Sequence, residues 1–337
     1  MKLNRTAYLI GATLLVAAAG LGAPQAQPAQ KVVFALNWFA VGDHAAYWVA
    51  LDRGYYRAKG LDVELQNSKG SGDSIAKVDT GRADVGLADA VVVIPRIAQG
   101  ARIKVVGAVF DNTPLNIWTR KDTGIAKPKD LEGKTLAAPP GDAQRQLFPA
   151  FAKLNGVDEA RVKWVNIEPA AKFVALAEKR ADAVPDYTTG QPFWEKAVGA
   201  ENLVRMPWSQ FGFDTYSMAI FASDKTINER PKVLRDFVAA SYQGWHDVME
   251  NPKAALEIFK KRVPDIDLAL IEPNMMLGLD LMKTDRYAKN GIGWVERAKM
   301  CRTVELINTY MPDMPRKVGC DEVFTNEFLT KIEPPKR

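Results

Sequence analysis

Between Trp38 and Trp48 the chain sets Trp38, Phe39, His44, Tyr47 and Trp48, so one of its two histidines stands among four aromatic rings. Rings of this kind can stack on a flat ligand, with a benefit of about 0.5–1.5 kcal/mol beyond simple burial. An imidazole adds a group that donates, accepts and stacks. The same residues would also fill a core, or His44 could cap the helix it opens, and the types alone leave these uses open. A second set is acidic: Asp43, Asp89, Asp142 and Asp186, with Arg145 the one obvious cation nearby. Ionised carboxylates only accept hydrogen bonds, so acceptors in excess of cations favour a ligand rich in N–H donors. They disfavour a buried anion such as a sulfonate or nitrate. The only cysteines, Cys301 and Cys320, lie far from both histidines, so zinc-ligand spacing is absent.

These residues need elements to carry them. "KVVFALN" reads as a buried strand, His44 to Lys59 as a helix stopped by Gly60, and "LDVELQ" as an alternating strand. "GDSIAKVDTGR", "ADVGLAD", "AVVVIPRIAQG" and "IKVVGAVF" continue as helix, strand, helix, strand, which predicts a mostly parallel sheet covered on both faces. "GKTLAAP", "DAQRQLFPAFAKLNG", "VKWVNI", "AAKFVALAEKR" and "ADAVPDY" then repeat the order. "GRADVGLAD" at 81–89 is echoed in letters by "KRADAVPDY" at 179–187. A repeated element order of this kind points to two similar α/β lobes.

After Gly212, "FDTYSMAIFAS" is strand-like and the rest of the chain reads as helices, with Pro231 at a first helical turn. The expected organisation is a two-lobed α/β protein. Residues 31–117 and 213–337 form lobe 1 and residues 118–212 form lobe 2. The chain crosses near Trp118 and near Phe213, and a helical block closes the C-terminus. Two crossings make a hinge, and a hinge makes a cleft that can shut.

In open α/β sheets ligands lie beyond the carboxyl ends of the strands. That rule selects Asn37, Trp38, Asp43, His44 and Tyr47 after the first strand, and Ala88 and Asp89 after "ADVGL". It selects Gly141, Asp142 and Arg145 after "GKTLAA", Asp186 and Tyr187 after "ADAVP", and Trp208 and Phe211 later. Neighbouring Tyr47 and Trp48 must face different ways on a helix. Tyr47, one turn from His44, is expected in the cleft; Phe39 and Trp48 are expected in the core. Asp43 and Asp142 also sit where helix N-caps belong, which leaves Asp89 and Asp186 as the carboxylates expected to touch ligand. A ligand phosphate would suit the amides of Gly141 to Arg145.

Composition bounds the class. Residues 1–26 combine Lys2 and Arg5 with an apolar run and then "GAPQAQPAQ", the pattern of a secretory signal. No cysteine lies near the junction to take a lipid anchor, so a cleaved, exported, soluble protein of about 310 residues is expected, enough for two lobes. The net charge of +5 falls to +3 without Lys2 and Arg5, no footprint for nucleic acid. In an oxidising compartment Cys301 and Cys320 could pair; two buried thiols are the alternative.

The chain resembles the periplasmic substrate-binding proteins of ABC importers. Within them it is similar to the group containing the thiamine-pyrimidine-precursor binders and the yeast pyrimidine synthase. The resemblance covers nearly all of the chain after the signal. Its strongest part is "LNWFAVGDHAAYWVALDRGYYRAKGLDVEL", with support from "GRADVGLAD", "LEGKTLAAP" and "KVLRDFVAASYQGWHDVMENPKAALEIF". It implies the periplasmic-binding-protein fold (type II-like) and no catalytic machinery. It also implies one small molecule held between the lobes, and a membrane permease with its ATPase as partner to a monomer. Trp38 and His44 fall on the family's tryptophan and histidine positions.

The resemblance implies no cofactor, and a thiamine pyrimidine precursor or related aromatic heterocycle as ligand. A sulfonate, nitrate or aromatic carboxylate is the alternative. The synthase consumes its own histidine and carries a cysteine-rich motif; the corresponding "FGFDTYSMAIF" here has no cysteine. The effector lobe of a transcription regulator would need an N-terminal helix-turn-helix that residues 1–30 do not offer.

Overall fold

A computed structural model describes residues 28–335, so the expected signal segment lies outside the described residues. Among the described residues, ten strands form two five-stranded sheets. They are β1 (Gln30–Ala35), β2 (Leu61–Gln66), β3 (Val85–Asp89), β4 (Ile103–Ala108), β5 (Leu115–Arg120), β6 (Thr135–Ala137), β7 (Lys163–Val165), β8 (Ala183–Tyr187), β9 (Leu203–Pro207) and β10 (Met218–Ser223). The first sheet has the order β2-β1-β3-β10-β4 and the second β7-β6-β8-β5-β9. β1, β2 and β3 run parallel, with β10 antiparallel between β3 and β4; in the second sheet β5 is the reversed strand. Each lobe is thus a parallel sheet with one inserted antiparallel strand, the form that a chain crossing twice between lobes produces.

The helices are α1 (Ala45–Asp52), α2 (Tyr55–Ala58), α3 (Ser71–Asp79), α4 (Ala90–Ala98), α5 (Ala143–Leu154), α6 (Ala171–Ala177), α7 (Gln191–Val198), α8 (Asp224–Glu229), α9 (Pro231–Glu250), α10 (Pro252–Arg262), α11 (Leu268–Met282), α12 (Asp285–Asn290), α13 (Arg297–Tyr310) and α14 (Cys320–Val323). Their ends follow capping chemistry. Pro231 and Pro252 occupy first helical positions, and Asn251 and Asp267 accept from Ala254 N and Ala269 N, each at 3.1 Å. The C-terminal block from α9 to α11 buries its apolar face with α1 on the first sheet. α13 packs against both α4 and α5, one from each lobe. A disulfide joins Cys301 on α13 to Cys320 on α14, the paired alternative of the two. Among the described residues no helix is long and apolar enough to cross a membrane.

The echo in letters is an echo in structure. Asp84 accepts the Val33 amide at 2.8 Å, and Asp182 accepts the Thr135 amide at 2.8 Å. Each RAD aspartate therefore ties its turn to the neighbouring parallel strand, and the strand that follows is the middle strand of its sheet.

The crossings run through 109–114 and 212–217. β5 already pairs with β8 from Leu115, so Trp118 lies inside the second sheet, beyond the first crossing. Its ring is buried there, stacked on Trp194 at 6.4 Å. A charged cluster pins both crossings to the C-terminal helices: buried Asp111 accepts Arg286 Nε at 2.8 Å, and Lys299 lies 4.8 Å over the Tyr216 ring.

Candidate functional site

The carboxyl ends of β1, β3, β6 and β8 converge on one cleft between the sheets. It encloses about 640 Å³ of space, counting its solvent-open mouth. From the first lobe Asn37, Trp38, Phe39, Asp43, His44, Ser71 and Asp89 line it, with Asn274 from α11. From the second come Asp142, Gln144, Phe173, Asp186, Tyr187, Thr189 and Phe193.

Four aromatic rings belong to the partly exposed part of this lining. Trp38 and Phe39 lie 5.6 Å apart and tilted by 34°, while Phe173 and Phe193 lie 5.9 Å apart at 37°. All four are only partly buried. One pair belongs to each lobe. Lys172 Nζ sits 4.8 Å above the Trp38 ring and 2.8 Å from Asp142 Oδ2, so this buried ammonium is already matched by a carboxylate.

Behind the rings the polar groups are bonded to one another. The His44 ring nitrogen Nδ1 accepts the Val41 amide at 3.4 Å, and Nε2 meets Asn37 Oδ1 at 2.9 Å, an arrangement that suits the neutral ring. Burial pushes its pKa down to about 3, so His44 is uncharged. Asn37 Nδ2 donates to Tyr187 Oη at 3.4 Å, and Tyr187 Oη donates to Asp89 at 2.8 Å. Asp89 also accepts from Ser71 Oγ at 2.8 Å and from Ser217 Oγ. Burial raises its pKa, and the three hydroxyls oppose that rise. Asp89 and Tyr187 hold the same position in the two repeats, so equivalent residues clasp each other across the cleft. Asp186 is only partly buried; it accepts the Tyr187 amide at 2.9 Å and Trp194 Nε1 at 2.9 Å, and desolvation raises its pKa.

Asn37, Trp38, His44, Asp89, Asp142, Asp186 and Tyr187 thus come together as the strand-end rule expects. Six residues that the rule selects do not: Tyr47, Ala88, Gly141, Arg145, Trp208 and Phe211. Tyr47 is fully buried, edge-on to Phe34 at 4.9 Å and to Trp245 at 6.1 Å. α1 starts at the cleft and runs away from it, so three residues beyond His44 the chain is already in the core; Trp48 is the outer of the two, near Phe259. Trp208 is buried against Phe151 at 4.2 Å, because β9 is an edge strand that feeds the crossing rather than the cleft.

Gly141 offers its carbonyl to Gly72 N at 3.0 Å, a contact between lobes, and the Asp142 carboxylate already caps Arg145 N at 3.1 Å. The Arg145 guanidinium turns to Ala138 O at 2.7 Å and lies 5.1 Å over Trp164. Of the amides from Gly141 to Arg145, that of Asp142 donates to Pro139 O at 3.1 Å and that of Arg145 to the Asp142 carboxylate. Phe39, expected in the core, lines the cleft instead.

Sequence reasoning missed Lys172, Phe173, Gln144, Phe193 and Asn274. The strand-end rule applied after "VKWVNI" points toward Lys172 and Phe173. Asn274 has no such signal, since α11 lies outside the strand–helix alternation.

Two α/β lobes joined by two crossings, with a cleft at the strand ends, make up the fold of the periplasmic solute-binding proteins. The chain belongs to the NMT1/THI5-like family, whose model matches residues 41–255. It is similar to the riboflavin-binding protein RibY of Chloroflexus aurantiacus, 26% identical over 91% of this chain and 88% of that one. It is also similar to the formylaminopyrimidine-binding protein of Halalkalibacterium halodurans, 23% identical over 72% and 74%. The 4-amino-5-hydroxymethyl-2-methylpyrimidine phosphate synthase of Schizosaccharomyces pombe is 28% identical, over only 32% of this chain and 31% of its own. Among solved structures, a Bordetella bronchiseptica protein superposes with a TM-score of 0.71 at 16% identity, covering 90% and 96%. The alkanesulfonate-binding protein SsuA of Xanthomonas axonopodis pv. citri does so with a TM-score of 0.66 at 13%, covering 89% and 99%.

Proposed function

We propose that this protein captures a small, flat, nitrogen-containing ring between its lobes, such as a thiamine pyrimidine precursor or a flavin-like heterocycle. It then delivers that ring to the permease of an ABC importer, with its ATPase, from the periplasm. The observation that carries this reading is the pair of tilted aromatic couples, Trp38–Phe39 and Phe173–Phe193, lining one cleft from opposite lobes. Closing the lobes brings an aromatic face to each side of a planar guest. Asp186 lines the same cleft and is only partly buried, and its carboxyl oxygens can accept from ring N–H or amino groups. Two relatives aligned over most of the chain are named for nitrogen heterocycles, riboflavin and formylaminopyrimidine.

An anionic ligand fits less well: Arg145 points elsewhere and Lys172 is matched by Asp142. The reading is of a binder, monomeric and exported after loss of its signal, and not of an enzyme. A thermal-shift screen of the purified chain tests it, with pyrimidines, purines, flavins, polyamines, aromatic acids and alkyl sulfonates. A ligand at a hundred times its Kd adds about 2.7 kcal/mol to the folded state. Stabilisation by a heterocycle is expected; stabilisation by sulfonates or carboxylates alone would overturn the reading.

A further inference from the structure

Polar side chains join the lobes in two settings. Inside the cleft they form hydrogen bonds to buried groups. Tyr187 Oη donates to Asp89 at 2.8 Å, Thr189 Oγ1 to Asp43 Oδ2 at 2.7 Å, and Asn274 Nδ2 to the Thr189 carbonyl at 2.9 Å. On the surface they form ion pairs. Lys69 Nζ of the first lobe lies 2.9 Å from Glu168 Oε2 of the second. Lys196 Nζ on α7 lies 2.9 Å from Asp267 Oδ2 at the start of α11. The side chains are 62% and 70% exposed in the first pair and 61% and 49% in the second, so both pairs stand in water. Lys69 and Glu168 occupy corresponding loops of the repeat, one after β2 and one after β7. Each of those strands is the edge of its sheet farthest from the strands that carry the crossings. The first pair therefore joins the lobes where rotation about the crossings moves them farthest. Lys196 stands one turn beyond Phe193 of the cleft wall, and the second pair ties α7 to the α11 block packed on the first sheet.

We propose that Lys69–Glu168 and Lys196–Asp267 are two surface latches of the closed form, and that they make the balance between closed and open lobes depend on ionic strength. The inference does not depend on which ligand the cleft takes. Each latch draws its two charges from different lobes, so separation leaves each charge alone in water. Exposed pairs of this kind shift the closed-to-open ratio by about 1.4-fold to fivefold each. Their attraction reaches over about 30 Å at 0.01 M salt and only about 3 Å at 1 M, so salt removes it. The buried bonds of the cleft are screened far less. Salt therefore loosens the lobes without cutting the bonds behind the aromatic rings. None of the four charged residues lines the cleft, so a latch acts on closure and not on the contacts of a bound ligand.

The test is the radius of gyration of the ligand-free chain by small-angle scattering at about 0.01 M and about 1 M sodium chloride. Wild type should be smaller at the lower concentration. Glu168→Lys/Lys196→Glu leaves the net charge unchanged and sets like charges face to face in both latches. That chain should be larger at the lower concentration, a reversed response. Lys69→Glu/Glu168→Lys rebuilds the first pair with its charges exchanged and should respond as wild type does. Asp267 is left in place because it caps α11 through the Ala269 amide at 3.1 Å. Circular dichroism checks that each variant is folded. A wild type with the same radius at both concentrations would overturn the proposal. So would a Glu168→Lys/Lys196→Glu chain that keeps the wild-type response, or an exchanged chain that loses it.

Discussion

Trp38 lines the cleft, and Lys172 rests over its ring 4.8 Å from the centre. Removing it takes away stacking of about 0.5–1.5 kcal/mol. Trp38→Ala should therefore weaken binding of a planar ligand about twofold to twelvefold, read as Kd by calorimetry. Lys172 is a different case. Its partner Asp142 is buried with it, and removing one member of such a pair costs about 3–5 kcal/mol by leaving the other charge unmatched. Lys172→Met should lower the urea midpoint accordingly, and adding Asp142→Asn should restore most of the loss. Asp89 and Tyr187 were legible because both stand at strand ends and at matching places in the repeat. Lys172 and Asn274 were not, because their roles come from what they reach across space: a lysine on a helix normally reads as a solvated face.

At the scale of elements, the repeat of RAD aspartates was readable and the strand between the repeats was not. All six residues of β5 are buried although Asn116, Thr119 and Arg120 are among them. The strand thus shows neither an apolar run nor alternation, and sequence patterning passes over it. The helix period also misled at α1, where facing directions were inferred from spacing and the direction of the helix axis decided the outcome. The RAD turns carry their own prediction. Asp182→Ala deprives the Thr135 amide of its acceptor, and should cost about 1–2 kcal/mol of unfolding free energy by denaturant titration. Asp84→Ala should cost more, because Asp84 also pairs with Arg230 at 2.6 Å.

At the scale of the whole molecule, the lobes meet through a shared apolar core, side-chain hydrogen bonds and a close backbone approach. Gly70 approaches Gly141 so closely that an added Cβ would stand 2.1 Å from its carbonyl oxygen, and its φ is +125°. Gly70→Ala should hold the lobes apart, giving a larger radius of gyration by scattering and weaker ligand binding with the lobe cores intact. The central claim is that a flat heterocycle binds between aromatic couples contributed by opposite lobes. Its most direct test is calorimetric titration of wild type and of a Trp38→Ala/Phe173→Ala chain, using riboflavin, 4-amino-5-hydroxymethyl-2-methylpyrimidine, propanesulfonate and nitrate. The account predicts one-to-one binding of one heterocycle to wild type, weakened about tenfold or more in the double variant. Binding of a heterocycle equally well by both chains, or binding of the anions alone, would contradict it.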